Sequence, residues 1–239
     1  MGLFDKKFCS VCGEKIGFLG NRKLEDGNLC KDCANKLSPF FSDRRRSTVD
    51  DIKEQLAYRE ANQERVAEFN PTKVIGAATK IYFDEDKAQC LISSKRNWRD
   101  VNPDVMDFTQ ITGCDLDIDE NRSELKRRDA DGNTVSYNPP RYEYSYDFYL
   151  MVHVNSPWFN EIRFKLNEGE INNRGGIAYR EASARADEIK QTFSKVKDDF
   201  KKAAEAASAP KQAMTCPLCG AATTPDENGC CEYCGGALK

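Results

Sequence analysis

The run Cys9-Ser-Val-Cys12-Gly13, followed by Cys30-Lys-Asp-Cys33, sets the reading of this chain. Cys216-Pro-Leu-Cys219-Gly220 with Cys231-Glu-Tyr-Cys234-Gly235 answers it at the far end. Two residues between cysteines let one tight turn aim both sulfurs at one point, and a closed zinc site takes four such ligands in a tetrahedron. Seventeen residues separate Cys12 from Cys30 and eleven separate Cys219 from Cys231, enough for a small hairpin in each case. Glycine after the second cysteine of a pair suits a knuckle that turns through positive φ and points N–H groups at sulfur. The candidate ligands are Cys9, Cys12, Cys30 and Cys33 for one Zn²⁺, and Cys216, Cys219, Cys231 and Cys234 for another. Disulfides or a redox Cys-x-x-Cys are the rival readings. Paired motifs at both ends favour metal, and no histidine lies near either set to make a mixed site.

Working outward, eleven cysteines leave Cys90, Cys114 and Cys230 over. Cys230 competes with Cys231, but only Cys231 has the two-residue spacing to Cys234. This usage predicts a reducing, cytoplasmic setting. The 239 residues hold one medium domain plus small appendages, 31% of them charged, with a formal net charge of -3. Two zinc ions on eight thiolates would take that charge to about -7. An acidic whole argues against bulk attraction to nucleic acid or an anionic leaflet, while leaving room for local patches. No eighteen-residue apolar run occurs, so no membrane span is expected.

Residues 1–41 read as an N-terminal module: a knuckle, apolar Ile16, Phe18 and Leu19, a hairpin at Asp26-Gly27, and a short helix starting at the second cysteine pair. That order is treble-clef-like. The pattern Cys9-x-x-Cys12-Gly13 and Leu24-x-Asp26-Gly27-x-Leu29-Cys30-x-x-Cys33 resembles a bacterial family of uncharacterised domains described as a zinc finger or ribbon at the N terminus of longer proteins. The resemblance implies that the four cysteines are metal ligands and that a second ribbon often closes the chain. It implies no activity.

Residues 42–70 predict a connector helix, opened by Ser47 or Thr48 ahead of Asp50-Asp51 and stopped at Asn70-Pro71. Val49, Ile52, Leu56, Val66 and Phe69 share a face that Arg59 and Gln63 interrupt, so the helix is expected to rest on its neighbours only at its ends. Arg44, Arg45 and Arg46 either bind phosphate or form a solvated hinge.

Residues 71–207 predict an α+β domain, an antiparallel sheet or PH-like barrel closed by a long C-terminal helix. Lys80–Phe83 and Ala88–Ser93 flank a turn at Asp84–Lys87. A strand from Asp107 to Ile118 carries a bulge at Gly113, and Asp131-Gly132 marks another turn. Tyr142, Tyr144, Tyr146, Phe148, Leu150, Val152 and Val154 occupy one face of a long strand and read as core and cross-strand packing. Trp158–Leu166 pairs back on it. His153, the only histidine, reads as structural. Ala182, Ala186, Ile189, Phe193, Val196, Phe200 and Ala203 form the strongest helical stripe in the chain. The order of strands followed by a helix is similar in layout to the pleckstrin-homology-like barrel. Residues 208–213 read as a linker and 214–239 as a C-terminal zinc ribbon.

The sequence holds no Gly-rich phosphate loop, nucleophile elbow or His-Glu metal helix. Four-cysteine sites also lack the open position that catalytic zinc keeps for water. The expectation is a non-enzymatic zinc-binding adaptor that meets another protein. A nucleic-acid binder using the ribbons and Arg44–Arg46 is the alternative, and headgroup binding by the PH-like domain ranks third.

Overall fold

The structure, a computed structural model, describes residues 7–208, 214–224 and 229–238. The chain divides into two compact units, Met1–Val196 and Lys197–Lys239. The linker expected at 208–213 falls, past Ser208, outside the described residues, as do the side chains of Phe200 and Ala203.

In the first unit the chain turns at Gly13, whose φ of 76° is open to glycine without strain and whose N–H bonds the Cys9 carbonyl. β1 (Arg22–Lys23) and β2 (Asn28–Leu29) then pair antiparallel, closed by the Leu24 N–H on the Gly27 carbonyl. Helix α1 (Lys31–Asn35) starts on Cys30, whose sulfur accepts the Cys33 N–H and so acts as the N-cap. Leu24 and Leu29 are fully buried in a cluster with Ile16, Leu37, Cys9, Cys30 and Cys33, and Ile52 and Leu56 from the next helix join it. The module therefore borrows apolar cover from beyond residue 41, as a segment this short must.

Helix α2 (Val49–Glu68) opens with a reciprocal cap, Thr48 Oγ1 accepting the Asp51 N–H while Asp51 accepts the Thr48 N–H. Its buried face is Ile52, Gln55, Arg59, Asn62 and Val66, one helical stripe with a polar middle. The helix is not held only at its ends, as the sequence pattern implied. Arg59 Nη1 donates to Asp104 Oδ1 at 2.7 Å, and its other nitrogens reach the carbonyls of Lys36 and Asn102. Asn62 donates to the Pro103 carbonyl and accepts the Val105 N–H, and Ser38 Oγ donates to Asp104 Oδ2 at 2.8 Å. Arg59 and Asn62 break the apolar stripe, yet they are buried because partners from two other segments satisfy them, whereas the buried Gln55 amide has no hydrogen-bond partner among the described residues.

Two antiparallel sheets follow. β3 (Lys73–Gly76), β4 (Lys80–Asp84), β5 (Gln89–Ser93) and β6 (Met106–Asp107) form the first, in sequence order. β7 (Ile111–Arg128), β8 (Thr134–Val154) and β9 (Glu161–Lys165) form the second. The predicted β4–β5 hairpin is present, and a register shift between Ile111 and Gly113 puts a bulge where the alternation changes face. β3 is a strand that the sequence reading did not single out. The ladders do not join into a closed barrel, which corrects that part of the expectation. Side chains between the sheets fill the space instead. Phe83, Cys90, Phe148, Leu150, Val152 and Ile162 are buried there, and helix α3 (Ile177–Ser208) covers them with Ala182, Ala186, Ile189, Phe193 and Val196. Phe193 meets Phe83 edge-on at 5.2 Å between centroids, and Tyr179 meets Phe148 at 4.8 Å.

β8 is central only from Tyr149 to His153, where β7 and β9 pair on either side. Toward the β7–β8 turn the two strands run on alone. Residues 119–128 of β7 are exposed, as is most of β8 from Thr134 to Tyr144. Tyr142 and Tyr144 therefore lie on a ribbon outside the core rather than in it, although Tyr146, the next in their row, is buried. In the second unit, β10 (Met214–Thr215) and β11 (Ala222–Thr223) make a two-stranded hairpin.

Candidate metal centres

Each cysteine quartet comes together as two knuckles facing one point. In the N-terminal site the first knuckle supplies Cys9 and Cys12, and the start of α1 supplies Cys30 and Cys33. In the C-terminal site Cys216 and Cys219 come from one knuckle and Cys231 and Cys234 from its counterpart. There the N–H groups of Gly220 and Gly235 bond the carbonyls of Cys216 and Cys231, the same turn as at Gly13.

All four sulfurs of each group lie within 4.8 Å of one another. Four sulfurs at about 2.3 Å from a tetrahedral zinc ion sit about 3.8 Å apart. The Cys12–Cys30 and Cys219–Cys231 sulfurs are 3.8 Å apart, and Cys216–Cys234 are 3.6 Å apart. A disulfide would need about 2.05 Å, and none is formed among the described cysteines. The donor set thus fits a zinc ion at each site by spacing, ligand softness and number.

The backbone already favours thiolate at one sulfur of each group. At Cys9 burial opposes ionisation, but N–H groups from Cys12, Cys30 and Val11 outweigh it and bring the thiol down to about 6. The Cys219 N–H leads the same effect at Cys216, also down to about 6. The remaining thiols meet that negative charge. Burial and the neighbouring sulfurs push Cys33 upward, and neighbouring sulfurs carry Cys234 to about 12 against the pull of the Gly236 N–H. A divalent cation relieves this crowding by drawing all four into the thiolate form.

Of the spare cysteines, Cys90 sits in the central core, where burial raises its thiol, and burial carries Cys114 up to about 11. Both are poor nucleophiles in those settings. Cys231 joins the C-terminal group and Cys230 does not. His153 lies at the surface of the second sheet, its Nε2 2.9 Å from Asp115 and its Nδ1 3.9 Å from Glu161. The three arginines separate: Arg46 faces Asp43 at 3.7 Å, while Arg44 and Arg45 turn toward β1. Sequence reasoning missed the Arg59–Asp104 network, whose members are 45 residues apart. A cleft of about 500 Å³ beside it is walled by Leu37, Phe40, Ile92, Ile162 and Phe164. Its Ser38 and Arg59 are committed to Asp104.

Among the described residues no helix is long and apolar enough to cross a membrane. No curated protein and no solved structure matches the chain significantly. Residues 7–55 match a family described as a domain of unknown function, DUF4428, a stretch that takes in the whole N-terminal cysteine quartet, the Arg44–Arg46 turn and the first residues of α2.

Proposed function

We propose that this chain is a non-enzymatic binding protein whose two zinc ions are structural and whose central domain presents a β-ribbon to another protein. The observation that carries the reading is the ribbon. From Asp119 to Arg128 and back to Asp147, β7 and β8 run as a two-stranded arm of roughly 30 Å at about 3.3 Å per residue. It adds little to the core, and most of its backbone edge is open to a partner strand. One face carries Tyr142 and Tyr144 with Arg122, whose guanidinium lies 3.5 Å over the Tyr142 ring. Tyrosine and arginine are the residues that anchor protein interfaces.

Two closed sulfur sites leave no ligand position for water, which supports a scaffolding role for the metal. Two antiparallel sheets covered by a long helix give the arm a packed base, and a cytoplasmic setting would keep the cysteines available to metal. The test is a variant in which residues 121–145 give way to an Asn-Gly turn joining Glu120 to Tyr146, which face each other in the ladder. It should keep its fold and zinc while losing the protein that the full chain captures from its source cell. Unchanged capture, or turnover of a substrate at the 500 Å³ cleft, refutes the proposal.

A further inference from the structure

The N-terminal module carries a second surface that the metal site does not explain. Gly17 and Gly20 bracket a tight turn, the Gly20 N–H bonding the Gly17 carbonyl at 3.0 Å. At its tip Phe18 is 91% exposed and Leu19 84% exposed, adjacent apolar side chains that no described residue covers. Immediately beside the tip, β1 and the turn at residues 44–46 form an open cleft of about 840 Å³ lined by Asn21, Arg22, Lys23, Leu24, Glu25, Arg44 and Arg45. The two parts are joined directly, since Arg22 Nη1 donates to the Leu19 carbonyl at 3.4 Å.

Four cations thus face one carboxylate in this cleft. Among the described residues none of the four is in an ion pair, whereas the neighbouring Arg46 is paired with Asp43. Arg22 and Arg44 are half-buried, so their like charge is screened less than at an open surface. Burial, with Arg22 and Arg45 close by, also draws the Arg44 guanidinium below its ordinary value. An anion in the cleft would offset this mutual repulsion, and the arginine fork matches two phosphate oxygens at once.

We propose that this surface docks on an anionic phospholipid membrane, with Arg22, Lys23, Arg44 and Arg45 on headgroup phosphates and Phe18 and Leu19 inserted at the acyl boundary. The apolar tip decides between phosphate sources. A free phosphate or a phosphorylated peptide leaves Phe18 and Leu19 in water. A nucleic-acid strand has a use for a stacked ring but none for the leucine beside it. A bilayer takes both, because apolar side chains enter the headgroup boundary by about 5–10 Å while cations stay at the phosphate level. The net charge of -3 on the whole chain does not forbid this, since at physiological salt a charge is felt over only about 8 Å and the contacting patch dominates.

The test is vesicle sedimentation with the full, zinc-loaded chain. Vesicles of phosphatidylcholine alone are compared with vesicles holding about one part in three of phosphatidylserine. The chain should pellet with the second and stay in solution with the first, and high salt should release it. Arg44→Gln/Arg45→Gln should weaken partitioning about 25-fold, some fivefold per cation lost. Phe18→Ser/Leu19→Ser should weaken it about tenfold or more with zinc content unchanged, because neither side chain supports the core. Lys126→Gln/Arg127→Gln on the ribbon removes the same charge elsewhere and should pellet like wild type. Equal binding to neutral vesicles, no binding to anionic ones, or unaltered binding by both the Arg44→Gln/Arg45→Gln and the Phe18→Ser/Leu19→Ser variants overturns the proposal. So does binding of a labelled oligonucleotide through Arg44 and Arg45 without any pelleting by vesicles.

Discussion

Removing Asp104 tests whether α2 is held by its polar middle. Asp104 is fully buried and Arg59 is 5% exposed, and the pair sits where α2, the exit of α1 and the loop before β6 converge. In Asp104→Ala, Arg59 keeps the carbonyls of Lys36 and Asn102 but loses its carboxylate, and Ser38 loses its acceptor. A buried charge left without its partner costs about 3–5 kcal/mol. At about 2–4 °C per kcal/mol for a unit of this size, the melting temperature should fall roughly 6–20 °C. Arg59→Met should cost a similar amount, because it strands the carboxylate and leaves two carbonyls without donors. The double variant Arg59→Met/Asp104→Leu removes both charges, so its loss should be smaller than the sum of the single losses by about 2 kcal/mol or more. Urea unfolding at pH 7 with zinc present, followed by tryptophan fluorescence, reads the first unit alone because Trp98 and Trp158 both belong to it. If Asp104→Ala costs under about 1 kcal/mol, or the cycle is additive within about 0.5 kcal/mol, the polar middle contributes nothing and the apolar ends hold the helix by themselves.

Metal analysis should find two zinc ions on the wild-type chain, one on Cys216→Ser or Cys12→Ser, and two on Cys230→Ser; any other stoichiometry breaks the ligand assignment. A strong chelator should release both ions and abolish the protection from hydrogen exchange around Leu24 and Leu29, since zinc binding in such modules supplies on the order of 10 kcal/mol of folding free energy. Gly76 has a φ of 131°, and a Cβ there would stand 2.3 Å from the Thr79 carbonyl oxygen, so Gly76→Ala should lower stability by about 2 kcal/mol or more in thermal melts. Burial holds the Asp104 carboxyl above its ordinary value against the pull of Arg59 and Ser38. The folded state therefore binds that proton more tightly than the unfolded chain, and the stability this gives at low pH is lost as pH rises through the folded value. Wild type should lose stability relative to Asp104→Asn as pH is raised, over the range where both zinc sites stay loaded; parallel curves would contradict the shift.

What could be read from sequence was what is decided within a few residues. The cysteine pairs bring their own turns, so the eight sulfurs and even the choice of Cys231 over Cys230 followed from spacing, and the β4–β5 hairpin followed from the charged run Asp84–Lys87. Period-two alternation correctly gave the face on which Tyr146, Phe148, Leu150 and Val152 are buried. It could not say where the body ends, because the same alternation runs on through Tyr144 and Tyr142 after β9 and α3 have stopped covering the strand. Arg59 looked like a solvent-facing interruption because hydrophobic patterning carries no information about a carboxylate 45 residues away. The basic cleft was half legible for a related reason: Arg44 and Arg45 were visible as a run, but Arg22 and Lys23 join them only once the β1–β2 hairpin folds back.

These gaps share a physical cause that also bears on how the N-terminal module works. A short zinc module has too little apolar surface to cover its own Leu24 and Leu29, so it takes Ile52 and Leu56 from α2, and α2 in turn is bonded to the loop before β6 through Arg59 and Asn62. The N-terminal cysteine group, the helix and the loop before β6 are then joined by buried contacts within one unit. That continuity follows from the polar stripe on α2, and a purely apolar stripe of the same length would hold the helix in place without fixing its register against residues 102–105.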